Sequence, residues 1–519
     1  MNKNNRFIIC VAVIVLMTII LSSCTGTKTV INQNSINFTG YPIKTDASLE
    51  VWTASYDDNH FFNKISEETG IKIKWLTPPA GQVDEQFNIM LASGKLPDIM
   101  EYRWAKYPGG AEKAISDDHI FPLNEIISTH SPSLKKYLSD NPDVDRMVQL
   151  DSGEYYVYPF IRGDELLKVS YGPIVRKDWL DSLNMAVPET MDDWYNMLTA
   201  FKAKSGVSAP LTYNYANLES WAAFPGAFGV KRDFYTDNEK VKYGPVEAGY
   251  KEYLQTMTKW YAEGLLDKNF ATADLALIAN SMLNGTSGAT LGYGGSGLGA
   301  WLQSKKDDPS YQLVPAPYPV KNRGDVPRFG LKDFSYVDAA FGNAAITTSC
   351  KNIELAARFL DYGYSEAGHM LFNFGTVNES YNMIDGYPTY TEAITNNPEY
   401  SFSQSLLRFA RFNNGPFVQD RRYMEQFYNI PAQKDALTVW NTQAEKTNLP
   451  PITPTYEEST ELANILNNIN TYVDENSTKF IMGLQSYDYY DKFLNDIKNM
   501  NVDRAIQIYE AAYERYLIR

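Results

Sequence analysis

Cysteine and histidine are scarce in this chain, at 3 and 4 of 519 residues. His60, His119, His130 and His369 are scattered, and no His-x-x-x-His pair occurs, which argues against a zinc site. No G-x-x-x-x-G-K-[ST] loop is present, so any ATP is hydrolysed by a partner. Gly292–Gly297 (GYGGSG) fits G-x-G-x-x-G, but a dinucleotide site needs an acidic residue at the end of the next strand, ~20 residues on. That region reads YQLVPAPYP, and no cofactor is expected. The same stretch misses the G-x-S-x-G elbow, because Leu298 holds its last position. It reads either as a flexible turn or as a helix N-terminus whose N–H groups face a ligand oxygen. Positive charge is also short: 47 Lys and Arg against 62 Asp and Glu give a net charge of −15. That balance argues against nucleic acid and against an anionic lipid surface.

What remains is an ordinary globular composition, 44% hydrophobic and 21% charged. The length exceeds one core, so at least two lobes are expected. Aromatic residues reach 14%, with 37 Tyr and 9 Trp. Such side chains offer flat apolar faces with a polar edge, which suits sugars, ligand clefts and interfaces.

The start of the chain is the clearest signal. Lys3 and Arg6 precede an uncharged apolar run from Phe7 to Leu21, followed by Ser22, Ser23 and Cys24. The run is shorter than the ~20 residues a spanning helix needs, and the order describes a secretory signal. Leu21-Ser22-Ser23-Cys24 resembles the bacterial lipobox, in which Cys24 is lipidated and opens the mature chain. The alternatives are an ordinary signal anchor or a chance cysteine. Two acyl chains on Cys24 suffice for stable anchoring, at the extracellular face of the cell membrane. Losing Lys3 and Arg6 with residues 1–23 takes the charge from −15 to −17. Cys350 is then the one free thiol, no internal disulfide is possible, and Cys350 reads as a small buried residue. Residues 25–46, rich in Thr and Asn, read as a flexible tether.

Beyond the tether, Ser48–Thr53 (SLEVWT) reads as a strand. Asn59 caps a helix over 59–69 that Gly70 stops, and Ile71–Leu76 alternates as a strand. Val83, Phe87, Met90 and Leu91 form one helix face over 82–93, ended by Gly94 and followed by the strand Leu96–Met100. This alternation implies a parallel sheet covered by helices. Thr190 and Asp193 resemble a capping box that opens a helix carrying Trp194, Leu198 and Phe201. Trp179, Trp194 and Trp260 fall on apolar helix faces and read as core. Helices are expected at 247–263, 273–284, 352–362, 456–475, 486–499 and 502–517. Strands are expected at Gly288–Tyr293, Tyr311–Pro315 and Ala344–Thr348.

Taken together, these runs resemble bacterial extracellular solute-binding proteins of family 1. The resemblance rests on Phe87–Ile99 (FNIMLASGKLPDI), Arg176–Leu183 (RKDWLDSL), Val187–Trp194 (VPETMDDW) and Ala345–Gly368. Tyr381–Tyr390 (YNMIDGYPTY) and Lys479–Arg515 look like the large LipO-type lipoprotein branch. The resemblance implies a two-lobed periplasmic-binding-protein-like α/β fold, each lobe a mainly parallel sheet flanked by helices, with ligand between the lobes. It places 47–168 and 316–400 in lobe I, and 169–315 and 401–519 in lobe II. It also implies delivery of a carbohydrate to an ABC permease. Many relatives, including alginate-binding proteins, carry a calcium loop after the helix that follows RKDWL. Here Phe201–Pro210 (FKAKSGVSAP) has no Asp, Asn or Glu, so no metal is predicted there.

Ligands of open α/β sheets sit outside the carboxyl ends of strands. That rule selects Tyr56 and Asp57 after SLEVWT, Arg103 and Trp104 after LPDIM, and Tyr293 and Ser296 after GATLGY. An aromatic face stacks on a sugar ring, while Asp, Asn or Arg pairs with hydroxyls; each aromatic reads equally well as packed against a loop. Trp221 and Phe224, in an Asn/Pro-rich loop, form either an aromatic platform or a loop anchor. Family pattern adds Tyr158 and Arg162 in the presumed crossing, and Phe341 and Asn343 precede the AITT strand. Asp420-Arg421-Arg422 reads as a solvated charge run or as a holder of a uronic acid. Tyr487–Tyr490 reads as lobe packing.

The expected protein is therefore a lipid-anchored, non-enzymatic, monomeric receptor that closes its hinge on an oligosaccharide and passes it to a permease. Two rivals stay open: a surface glycoside hydrolase with paired carboxylates (Asp57, Asp58, Glu101 and Glu219 among those available), and a glycan-capture lipoprotein without a transporter.

Overall fold

A computed structural model describes residues 35–36, 38–39, 59–79, 82–104, 107–215, 222–329, 337, 343–442 and 447–519. Local chemistry decides most helix ends. Asn59 accepts a hydrogen bond from Phe61 N (3.0 Å) at the start of His60–Thr69, and Gly70 closes that helix in the left-handed region. Thr190 and Asp193 form the expected reciprocal box at the start of Met191–Lys202, and Trp194, Leu198 and Phe201 are buried along it. Val83–Ser93 ends at Gly94, and Leu275–Asn284 ends at Gly285, both glycines left-handed. Ala248–Ala262 and Ile353–Asp361 also fall where periodicity puts them. The first of the three C-terminal helices, Tyr456–Ile481, outruns its expected end, and Tyr490–Asn499 and Val502–Leu517 follow. The strand expected over 71–76 shrinks to Lys72–Ile73. The SLEVWT strand lies outside the described residues. No described helix is long and apolar enough to cross a membrane.

The architecture is the expected two-lobed α/β fold, and its lobes are visible as separate cores. One is built around Phe61, Ile99, Leu134, Phe160, Ile346 and Phe359, with an adjoining cluster around Phe87, Trp104 and Leu150. The other, larger core gathers Tyr171, Trp194, Phe224, Trp260, Leu291 and Trp440, together with the C-terminal helices through Ile469 and Ile508. Trp194 and Trp260 stand edge-on to Phe224 at 5.1 and 5.5 Å. Burying such a ring is worth about 3 kcal/mol, which is why these aromatics sit inside. Phe374, Tyr381, Tyr390 and Ile394 also pack in the larger core, although the expected boundary assigns 316–400 to lobe I.

Strand sense departs from the expected mainly parallel sheets. In the first lobe Ile99–Tyr102 is parallel to Phe38–Thr39 but antiparallel to Asn343–Ile346. Phe38 and Thr39 are thus paired in sheet, within the segment expected to be a free tether. In the second lobe Tyr171–Arg176 is antiparallel to both neighbours, Ala289–Tyr293 and Leu313–Pro315. The reason is where the chain changes lobe. Asn343–Ile346 and Tyr171–Arg176 begin beside a crossing and run away from it. Ile99–Tyr102, Ala289–Tyr293 and Leu313–Pro315 run back toward it, as the registers Asn343↔Tyr102 and Tyr171↔Tyr293 require.

Candidate ligand cleft at the lobe crossing

These registers locate the site. The carboxyl end of Ile99–Tyr102 in one lobe, and of Ala289–Tyr293 in the other, both point at the segments that join the lobes. The junction is a short parallel pair, Ile161–Arg162 beside Val418–Gln419, extended by Gly163 N donating to Gln419 O (3.1 Å). A Cβ on Gly163 would stand 2.6 Å from that carbonyl, so only glycine lets the two segments approach. Asn343 Oδ1 accepts from Phe160 N (2.9 Å) and ties the first-lobe sheet to the junction. Asn373 does the same from the helix side, donating to Val418 O (2.9 Å) and accepting from Asp420 N (2.8 Å).

Charged groups at the junction are matched to one another. Glu101, fully buried on the Ile99–Tyr102 strand, takes both guanidinium nitrogens of Arg411, at 2.8 and 2.5 Å. Asp420 caps Arg421–Phe427 through Arg422 N (2.7 Å) and meets Arg422 Nη2 and His369 Nε2, the latter at 2.8 Å. Arg421 is held by Glu425 (2.7 Å) and faces Asp164 at 3.7 Å. Arg103 Nη2 donates to Asp84 Oδ1 (2.5 Å), and the Tyr102 hydroxyl donates to the same oxygen (2.6 Å). Tyr102 stacks on Phe87 at 3.6 Å; its hydroxyl is pushed up to about 12, first by burial and then by Asp84.

Burial opposes ionisation of Asp420, but the hydrogen bonds from His369 and Arg422 outweigh it and hold its carboxyl well below the usual range. A carboxylate depressed on folding contributes stability that is complete above its unfolded value, about 4, and is lost as pH falls toward its folded value. Urea midpoints should therefore decline below about pH 4, and Asp420→Asn should flatten that acid-side decline. An unchanged slope in the variant would refute the assignment.

The structure divides the expected site residues three ways. Tyr56, Asp57, Trp221 and Phe341 lie outside the described residues. Arg162 and Tyr293 lie at strand ends, Arg103 directly follows one, and Ser296 lies in the helical turn after Tyr293. Arg162 sets its guanidinium 5.8 Å from the Phe160 ring, Tyr293 stands edge-on to Tyr171, and Ser296 is exposed. Trp104, Tyr158, Phe224 and Asn343 are corrected to core. Trp104 is fully buried, donates to Met100 O (3.1 Å) and stacks near Tyr107. Tyr158 is buried with its hydroxyl 2.6 Å from Ser131 Oγ, and Phe224 is enclosed by the two tryptophans. Asn343 spends its side-chain oxygen on Phe160. In each case burying the ring or pairing the amide within a lobe outweighs exposing it.

The glycine stretch opens a helix, as the second of the two readings has it, and is not a flexible turn. Gly294–Gly299 is the opening, π-wound turn of a helix that continues through Ser304. A Cβ on Gly294 would lie 2.5 Å from the Tyr428 hydroxyl, and one on Gly295 2.8 Å from the Phe427 ring. Gln433 Nε2 donates to Gly294 O (2.9 Å). These glycines admit the close approach of Phe427, Tyr428 and Gln433. Cys350 is buried, and burial pushes its thiol up to about 12. Tyr487 stacks on Phe480 and is 2.9 Å from Thr258 Oγ1, as packing requires. Sequence reasoning missed Asp84, Arg411, His369 and Gln419. Nothing in the chain's periodicity links Glu101 to a partner 310 positions away.

Two cores joined by a parallel pair of crossing strands are the architecture of the two-lobed solute-binding fold. Residues 45–370 match the bacterial extracellular solute-binding protein family, and the chain belongs to it. Among curated proteins it is 24% identical to lipoprotein LipO of Bacillus subtilis (strain 168), over 73% of this chain and 74% of that one. It is 22% identical to the fructooligosaccharide ABC transporter substrate-binding protein FusA of Streptococcus pneumoniae serotype 4 (strain ATCC BAA-334 / TIGR4), over 96% of each. Solved structures with the same fold include alginate-binding protein AlgQ2 without calcium ion (TM-score 0.75, 22% identity, 92% of this chain and 98% of that one). FusA in complex with kestose is another (TM-score 0.75, 18% identity, 93% and 99%).

Proposed function

We propose that this chain captures an oligosaccharide outside the cell by hinge closure and hands it to an ABC permease, while Cys24 anchors it to the membrane through lipid. The observation that carries the reading is the facing of strand carboxyl ends from two separate cores across one short junction. Ligand held by one lobe makes its remaining contacts only when the lobes approach, and that difference in contacts drives closure. The names of FusA and of the polygalacturonan/rhamnogalacturonan-binding protein YtcQ support a saccharide ligand. A binding role rather than hydrolysis is supported by the geometry of Glu101, which is fully buried with both carboxylate oxygens accepting from Arg411 and so does not face a ligand.

A ligand that binds only the folded state stabilises it by about 2.7 kcal/mol at a hundred times its Kd. Mature chain in detergent should therefore melt several degrees higher with a cognate oligosaccharide, and sugar should be recovered intact. Release of hydrolysed sugar beyond one equivalent would overturn the binding reading. Cys24→Ala should abolish incorporation of a labelled fatty acid; persistent labelling would remove the anchor from the proposal. Loss of oligosaccharide uptake on deleting the gene, with surface capture retained by the purified chain, would support delivery to a permease.

A further inference from the structure

We infer that Asp84 and Arg103 form the specificity-determining pair of the cleft, reading adjacent hydroxyls of an uncharged saccharide and barring a uronate; the inference rests on the saccharide reading above. Arg103 follows the strand whose last residue, Tyr102, is in register with Asn343 at the junction. Asp84 stands in the first turn of Val83–Ser93, and Phe87 of that helix stacks on Tyr102, so ring packing fixes the position of both. The Asp84 side chain is 63% exposed and that of Arg103 is 24% exposed, so a ligand reaches the carboxylate directly. Arg103 Nε is buried without an acceptor, an N–H that a ligand oxygen would satisfy after a small side-chain shift.

The chemistry of the pair selects its ligand. A hydroxyl both donates and accepts, so one hydroxyl donates to Asp84 while its neighbour accepts from Arg103. A carboxylate only accepts. To be held well it needs a guanidinium with two parallel N–H groups to offer. Of the arginines near the junction, Arg411 spends its N–H groups on Glu101, Arg422 on Asp420 and Arg421 on Glu425, while Arg162 lies against the Phe160 ring. A uronate would instead meet the carboxylate of Asp84, and it would approach a chain of net charge −15.

Calorimetry on the mature chain in detergent tests this, with fructo-, malto- and galacto-oligosaccharides as neutral probes and oligogalacturonate as the acidic one. The expected result is binding of a neutral probe and none of oligogalacturonate. Asp84→Ala and Arg103→Ala should each weaken the neutral probe roughly tenfold or more. Asp84→Asn should shift the ratio of affinities toward oligogalacturonate. Arg103→Lys, which keeps the charge and loses the fork, should also weaken binding, with the unliganded melting temperature within a few degrees of wild type. Tighter binding of oligogalacturonate than of any neutral probe by the wild type would overturn the inference and leave the saccharide reading standing. So would wild-type affinity in both alanine variants. Binding of no saccharide of either charge would overturn the saccharide reading itself, and the inference with it.

Discussion

Arg411→Met is expected to destabilise the protein by about 3–5 kcal/mol, because it leaves the Glu101 carboxylate buried without its cation. Glu101 has no exposed surface and Arg411 is 7% exposed, so water cannot replace the lost partner. Both guanidinium nitrogens are engaged, and Gly415 lies so close to the guanidinium that a Cβ there would be 2.6 Å from Cζ. The cavity has no room to rearrange around an isolated charge. The urea midpoint should fall with the slope unchanged. Removing both charges, as Glu101→Leu with Arg411→Met, should recover most of the loss, since what costs is the unpaired charge and not the missing bond. A drop under about 1 kcal/mol in the single variant would mean that the pair is solvated in the native state.

Asp151→Ala should have an effect of similar size, about 3–5 kcal/mol, and a different signature. The Asp151 carboxylate is 3% exposed and follows Leu150, in the cluster that adjoins the first core. It accepts from Arg515 Nε (2.5 Å), from Arg519 Nη2 and from Thr453 Oγ1 (3.2 Å). Arg515 also grips Glu458, at the start of Tyr456–Ile481. The C-terminal helices belong to the second core through Ile469 and Ile508, so this cluster clasps one lobe to the other away from the crossing strands. Its loss should lower amide-exchange protection at residues 510–519 and 146–153 before the rest of the chain opens. Uniform loss of protection would show that the clasp is not a separate unit.

Several features were legible along the chain because their physics is local. Asn59 and Thr190 cap helices by bonding to backbone two or three residues on, so a short window contains both partners. Trp194 and Trp260 fall on apolar faces at helical spacing, and burial follows from that spacing alone. The likeness to solute-binding proteins is of the same kind, a succession of local runs in a fixed order. Site residues chosen by type rather than by partner fared unevenly. Trp104 satisfies the rule for strand ends, yet Met100 O, Phe87 and Tyr107 enclose it. An aromatic at such a position packs inward or outward according to neighbours that arrive from elsewhere.

The sequence by itself determined the positions of most helices and the two-lobed α/β class. Only the tertiary structure decided strand sense, which depends on where the chain changes lobe, and the need for glycine at 294 and 295, which depends on the approach of Phe427 and Tyr428. It also decided which charges are buried in pairs, as Arg411 is with Glu101, and which pair stays at the surface, as Asp84 does with Arg103. Capping and periodic burial act over a few residues and are written in order. Ion pairs and close packing join residues hundreds of positions apart, and no order along the chain records them.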